Sequence, residues 1–202
     1  MKRIIMKPGE SALVIVAHPD DETIWMGGLV KENPEVKWTI FSLCRSSDRD
    51  REPKFRRVCG HLGANPLMSD LEDEGVMRIK ESVPVIKKLI RSNLKNKKFN
   101  YIFTHGANGE YGHPRHKGVN LAVRELFKEG RVKADKLLFF NYEKKDKKPF
   151  SPPKVRNNSD YIFKLTREKL KEKKMIMSGI YGFAPEGIDT NYCTNPEAFK
   201  QF

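Results

Sequence analysis

Cysteine is scarce in this chain, and the scarcity is informative. Cys44, Cys59 and Cys193 are the only three among 202 residues, an odd number with no CxxC spacing. They exclude a disulfide framework and a cysteine-built zinc site, and they fit reduced thiols in a cytoplasmic protein. Long apolar runs are missing as well: none approaches the ~18 residues that would mark a transmembrane helix. Met1 to Glu10 carries basic side chains but no apolar segment of secretory-signal length, so cytoplasmic residence is the expectation. No GxGxxG or GxxxxGK follows an apolar run, which removes the usual dinucleotide and nucleotide-phosphate cradles. Tryptophan is limited to Trp25 and Trp38, both read as core residues.

Acidic residues are in deficit. Lys and Arg number 39 against 26 Asp and Glu, a formal charge of +13. Much of the excess lies in Lys87 to Lys98, Lys144 to Lys154 and Lys164 to Lys174. These runs carry little aromatic interleaving, so nucleic acid is not the expected partner. A lysine-rich solubilising surface is the plainer reading; the partner it would also admit is an anionic lipid surface, met peripherally.

What is present alternates between strand-like and helix-like segments. Ser11 to Ala17 reads as a strand, and the stretch after Asp21 through Lys31 as a helix in which Gly27 and Gly28 permit close packing. Val36 to Cys44 alternates like a second strand. Glu52 to Leu62 is helical and closed by Gly63. Val76, Ile79, Val83, Ile86 and Ile90 recur at helical spacing, with a kink or restart expected at Pro84. Asn100 to Thr104 is a short strand, Val119 to Phe127 an amphipathic helix, and Lys136 to Tyr142 another strand. Lys144 to Asn158, with Pro149, Pro152 and Pro153, reads as a loop, Tyr161 to Met175 as a basic helix, and the tail from Gly179 as irregular. The alternation argues for one α/β domain over residues 1–202, a three-layer αβα sandwich with a mainly parallel, Rossmann-like sheet.

The chemistry concentrates in two places. Val14-Ile-Val-Ala-His18-Pro19-Asp20-Asp21-Glu22 ends a β-branched run in a histidine and three acids, at the strand end where open α/β sheets place ligands. His105-Gly-Ala-Asn-Gly-Glu-Tyr-Gly-His113-Pro-Arg-His116 follows the strand ending at Thr104 in the same way. Parallel strands bring both segments to one sheet edge. A catalytic zinc site needs three His or carboxylate ligands and an open position. His18, Asp21 and one of the pair His113 and His116 would supply them. Asp20 is the candidate base, and a second histidine would stabilise an oxyanion and protonate a leaving amine. His61 reads as structural or exposed, and His105 as either packing or a support for the site. Cys44 lacks an activating partner and is no nucleophile candidate.

AHPDDE together with GEYGHPRH resembles the LmbE/PIG-L family of zinc-dependent N-deacetylases, over most of the chain. The resemblance implies one zinc per chain, or another divalent metal, held by His18, Asp21 and His116. It makes Asp20 the general base and His113 the residue that stabilises the oxyanion and helps the leaving group, with Glu22 supporting the helix start. The implied substrate is a small N-acetylated sugar conjugate of the N-acetylglucosamine type, bordered here by Arg51 and Tyr111, in an enzyme that forms homo-oligomers in many relatives. A zinc amidase of a larger conjugate and a basic, non-catalytic binding module are the rival readings. Two positions depart from the pattern. Arg115 stands where Asp commonly orients the catalytic imidazole, so either another acid or a backbone carbonyl must serve His113. Lys54 stands where Glu is usual.

Overall fold

The computed structural model describes residues 1–94, 97–146 and 150–202; Pro149 and part of the Lys144 to Lys154 run lie outside them. In chain order the elements are β1 (Lys2–Arg3), β2 (Ser11–Val16), α1 (Asp21–Lys31), β3 (Lys37–Cys44), α2 (Arg51–Leu62), β4 (Asn65–Leu71), α3 (Ile79–Leu94), β5 (Lys98–Thr104) and α4 (Pro114–Lys128). Then come β6 (Lys133–Phe140), β7 (Tyr142–Glu143), β8 (Lys154–Val155), β9 (Tyr161–Phe163), α5 (Arg167–Ile176), a π-helical turn (Met177–Tyr181), α6 (Ile188–Asn191) and β10 (Glu197–Gln201). Eight strands form one sheet in the order β1-β9-β10-β6-β5-β2-β3-β4, and β7 pairs with β8 apart from it. Only β10 runs antiparallel to its neighbours, β6 and β9; the other ladders of this sheet are parallel.

β2 lies between β3 and β5, and its alternation decides the layers. Ala12, Val14 and Val16 join one core with Trp25 and Leu29 of α1 and Phe55 of α2. Leu13, Ile15 and Ala17 join the other, with Ile86 and Ile90 of α3 and Val119 and Val123 of α4. A strand buried on both faces has no solvated side to mark with polar residues, hence the unbroken LVIV run. From β2 the chain goes to β3 and β4 on one side and later to β5 and β6 on the other. The gap beyond the carboxyl ends of β2 and β5 is therefore a topological switch point, the place where such sheets hold ligands.

The expected three-layer fold is present, with local differences. Gly63 closes α2 in the left-handed conformation at φ 70°. Gly28 makes a close approach, since a Cβ there would meet Leu165 at 2.4 Å. Gly27 does not; its nearest contacts are its own helix's Thr23 at 3.4 Å. Val76 precedes α3 and is exposed, and α3 runs through Pro84 without a restart. β4 was not read from sequence: it is an edge strand carrying Pro66, and its few apolar residues show no clear alternation. The expected helix from Tyr161 splits into β9 and α5 at Thr166, whose side chain accepts the Lys169 N–H. The supposedly irregular tail contributes β10, with Ala198 and Phe199 fully buried.

Candidate metal centre and active site

His18 and His105 each follow the carboxyl end of a central strand, β2 and β5, by one or two residues. Between His18 and α1 the backbone turns sharply. Asp20, the residue before the helix, has φ 140° and ψ −31°, a region that costs a non-glycine residue about 1–3 kcal/mol. Glu22 holds it there: the Asp20 N–H donates to Glu22 Oε2 at 3.0 Å, while Thr23 and Tyr181 hydroxyls donate to Oε1 at 2.7 and 2.8 Å. Glu22 thus supports the helix start as expected, but by fixing the residue before it. The next residue, Asp21, accepts from the His18 N–H at 2.9 Å and from Trp25 Nε1 at 2.9 Å.

Three side chains converge here. His18 Nδ1 lies 3.2 Å from Asp21 Oδ2 and 3.3 Å from His116 Nε2, and His116 Nε2 lies 3.4 Å from Asp21 Oδ1. Ligand atoms at about 2.0–2.1 Å around a tetrahedral ion stand roughly 3.3 Å apart, so these spacings fit such an ion. The outer nitrogens are fixed as metal-binding imidazoles require. His18 Nε2 pairs with Asp73 Oδ1 at 2.8 Å and His116 Nδ1 with Glu110 Oε2 at 2.6 Å. Each imidazole therefore presents its inner nitrogen to one spot. Burial lowers the His18 pKa, but Asp21 and Asp73 outweigh it and raise it to about 9. Burial raises that of Asp21, yet the His116 and His105 rings hold it well below the usual carboxylate range. The cage is built to hold positive charge, and its donor set suits zinc.

His105 packs behind the ligands and is tied up by its own hydrogen bonds. Its ring stacks on His116 with centroids 3.8 Å apart. Nδ1 pairs with Glu110 Oε2 at 3.0 Å, while Nε2 accepts the Ala17 N–H at 3.0 Å. Burial disfavours charge on this ring, while Glu110 and Asp21 favour it and raise its pKa to about 9. The Ala17 N–H decides: a protonated Nε2 could not accept it, so the ring is the neutral Nδ1–H form. Glu110, at φ 53°, also accepts the Gly106 N–H at 2.6 Å. Sequence reasoning quoted this glutamate inside its motif and gave it no role. It also missed Asp73, which reaches the site from the end of the unread strand β4. Cys44 has its sulfur within 4.8 Å of ligand atoms of His18 and Asp73. Burial and the Asp73 charge push that thiol far up, so it is protonated in the metal-free site.

The remaining expected residues share a cavity of about 270 Å³ lined by His18, Asp20, Asp21, Arg51, Tyr111 and His113, with Trp25, Arg45, Asp73, Asp189 and Tyr192 beside them. His116 lies fully buried behind it. Burial and the neighbouring Asp21 raise the Asp20 pKa well above normal, against the pull of His18 and Arg51. Arg51 Nη1 is 3.3 Å from Asp20 Oδ2, and its guanidinium stacks 4.5 Å from the Phe183 ring. Tyr111 packs edge-on against His113 and His116. Burial and the imidazoles of His116 and His18 lower the His113 pKa to about 3. Neither expected substitute for the missing Asp is found: His113 Nδ1 is buried without a hydrogen-bond partner. Arg115 turns away, its Nη2 donating to Glu72 at 2.9 Å. Lys54 pairs with Asp50 at 2.7 Å. His61 is exposed.

The switch-point cleft thus brings together a His/Asp cluster that could hold a metal ion and a separate carboxylate. The chain belongs to the PIG-L family, described as GlcNAc-PI de-N-acetylase, whose model matches residues 13–127. An uncharacterised protein of Acanthamoeba polyphaga mimivirus is 25% identical over 130 residues, 56% of each chain. The chain therefore spans about half the length of that curated relative. The fold is similar to that of N,N'-diacetylchitobiose deacetylase from Pyrococcus horikoshii, with a TM-score of 0.64 at 15% identity, covering 96% of this chain and 84% of that one. It is similar also to the pseudoaglycone deacetylase Dbv21, at TM-score 0.63 and 16% identity over 87% and 83%. A third likeness is 4-carboxy-2-hydroxymuconate hydratase from Pseudomonas putida, at TM-score 0.58 and 18% identity over 91% and 82%. One fold thus hosts both deacetylases and a hydratase, so the reaction must be argued from the site.

Proposed function

We propose that this protein is a zinc-dependent deacetylase that removes the acetyl group from an N-acetylated sugar or sugar conjugate of the N-acetylglucosamine type. The observation that carries the reading is the His18–Asp21–His116 cage with a carboxylate beside it, Asp20, that is not tied into it. Zinc, when bound, supplies a Lewis acid that lowers the pKa of water toward about 7 and polarises the amide carbonyl. Asp20 takes the proton that water gives up as it attacks the acetyl carbon. Its raised pKa suits it to that task, and Arg51 limits the rise. His113 is uncharged at neutral pH and meets the amide oxygen as an N–H donor while charge develops there. The departing amine needs one proton, and Asp20 gives up the one it has gathered while His113 keeps its N–H on the oxyanion. The C–N bond then breaks to give acetate and a free amine. Arg51 and Tyr111, bordering the cavity, meet the sugar.

The test is an acetate-release assay on zinc-loaded protein with a panel of N-acetylglucosamine glycosides. Acetate and primary amine should appear one for one, stop on chelation and return with zinc. Zinc-loaded protein that releases no acetate from any glycoside would overturn the reading.

A further inference from the structure

Beside the catalytic cavity lies a second, larger space that the proposed reaction does not use. It holds about 900 Å³, and Asp73 and His113 line both spaces. Its wall comes from the segment after β4 and from the first turns of α4. Met77, Ile79, Pro114 and Leu121 make it apolar. The arginines nearby are engaged internally: Arg78 donates to Glu81 at 2.9 Å and Arg115 to Glu72 at 2.9 Å. Lys80 is an exposed cation of the same lining, and the four apolar side chains are the surface that an apolar occupant would cover. Arg115, the residue that departs from the family pattern, is part of this wall, 5% exposed and with its Nε unpartnered.

We propose that this groove binds an apolar alkyl or aryl aglycone carried by the amine-bearing sugar. The proposal rests on the deacetylase reading above. The two spaces meet at Asp73 and His113, so a substrate reacting in the smaller one can extend its remaining fragment into the larger. Acetyl is also far too small to need about 900 Å³.

The experiment compares methyl, hexyl and octyl glycosides of N-acetylglucosamine below their aggregation concentrations, with wild type and Met77→Asp. A fully buried methylene is worth about fourfold in affinity. In a half-open groove kcat/KM should rise on the order of tenfold from methyl to hexyl, mainly through KM, and Met77→Asp should flatten that ratio. Zinc content and thermal midpoint establish that the variant is folded, and Leu121→Asn serves in its place if it is not. Equal kcat/KM for all three glycosides in wild type, or an unchanged ratio in a folded variant, overturns the proposal. If no glycoside is turned over, the deacetylase reading fails separately. Calorimetry with methyl and hexyl glucosaminides then decides the groove: tighter hexyl binding lost in Met77→Asp supports it, and equal binding overturns it.

Discussion

Asp20 and Glu110 show how much of the site rests on single residues held in unusual backbone. Both have positive φ, 140° and 53°, and both are fixed by hydrogen bonds rather than by glycine's freedom. Asn tolerates positive φ better than most residues, so Asp20→Asn removes the proton acceptor while leaving the turn intact. Zinc content should stay at the wild-type level while kcat falls about 10²–10⁴-fold; metal analysis and acetate release on the same sample check both. Glu110 is different, because one oxygen serves two imidazoles and the other serves the Gly106 N–H. Gln has only one accepting oxygen for those three donors. Glu110→Gln should weaken zinc binding about 10–100-fold, measured by competition with a chromophoric chelator. Unchanged affinity would mean that Glu110 is only a structural bond. The convergence of His18, Asp21 and the pair His113 and His116 was readable because strand ends and histidine spacing announce it, while the choice of His116 as ligand came from the family resemblance alone. Asp73 was not, since nothing in its local sequence says that it reaches His18 across the sheet edge.

Among the elements, β10 and α5 were the hardest to read, and a buried ion pair explains how they are joined. Lys173 on α5 donates to Glu197 on β10 at 2.7 Å, both essentially unexposed. Glu197 also accepts the N–H groups of Gly28 and Leu29 in α1 at 2.8 and 2.7 Å. A lysine-rich sequence predicts a solvated helix face, and only the tertiary partner turns one lysine inward. Removing one member of such a pair leaves an uncompensated buried charge, worth roughly 3–5 kcal/mol. Lys173→Met should lower stability by about that much in urea titrations, and adding Glu197→Gln should restore part of it. A loss under ~1 kcal/mol would show that the pair is not what joins α5 to β10. The central strands were legible for the opposite reason: β2, β3 and β5 are buried by construction, so their apolar runs survive any context. β4 lies at the edge with Pro66 and with only Ser69 and Leu71 buried, where the apolar pattern fades.

For the whole molecule, the mainly parallel sheet was implied by the strand–helix alternation but its order was not; the order β4-β3-β2-β5-β6 brings residues 18 and 116 together. The +13 charge says less: Lys87, Lys98, Lys154, Lys169 and Lys200 each find an acidic neighbour. No helix among the described residues is long and apolar enough to cross a membrane. The central claim is that two imidazoles and a carboxylate at the switch point hold the metal. Cys44 lies close enough to His18 and Asp73 to offer a competing set. X-ray absorption at the zinc edge separates the two, because nitrogen and oxygen ligands stand at about 2.0–2.1 Å and sulfur at about 2.3 Å. The account predicts a first shell of nitrogen and oxygen only, with imidazole scattering from two rings. A sulfur at about 2.3 Å, or a site that takes up no zinc, would contradict it.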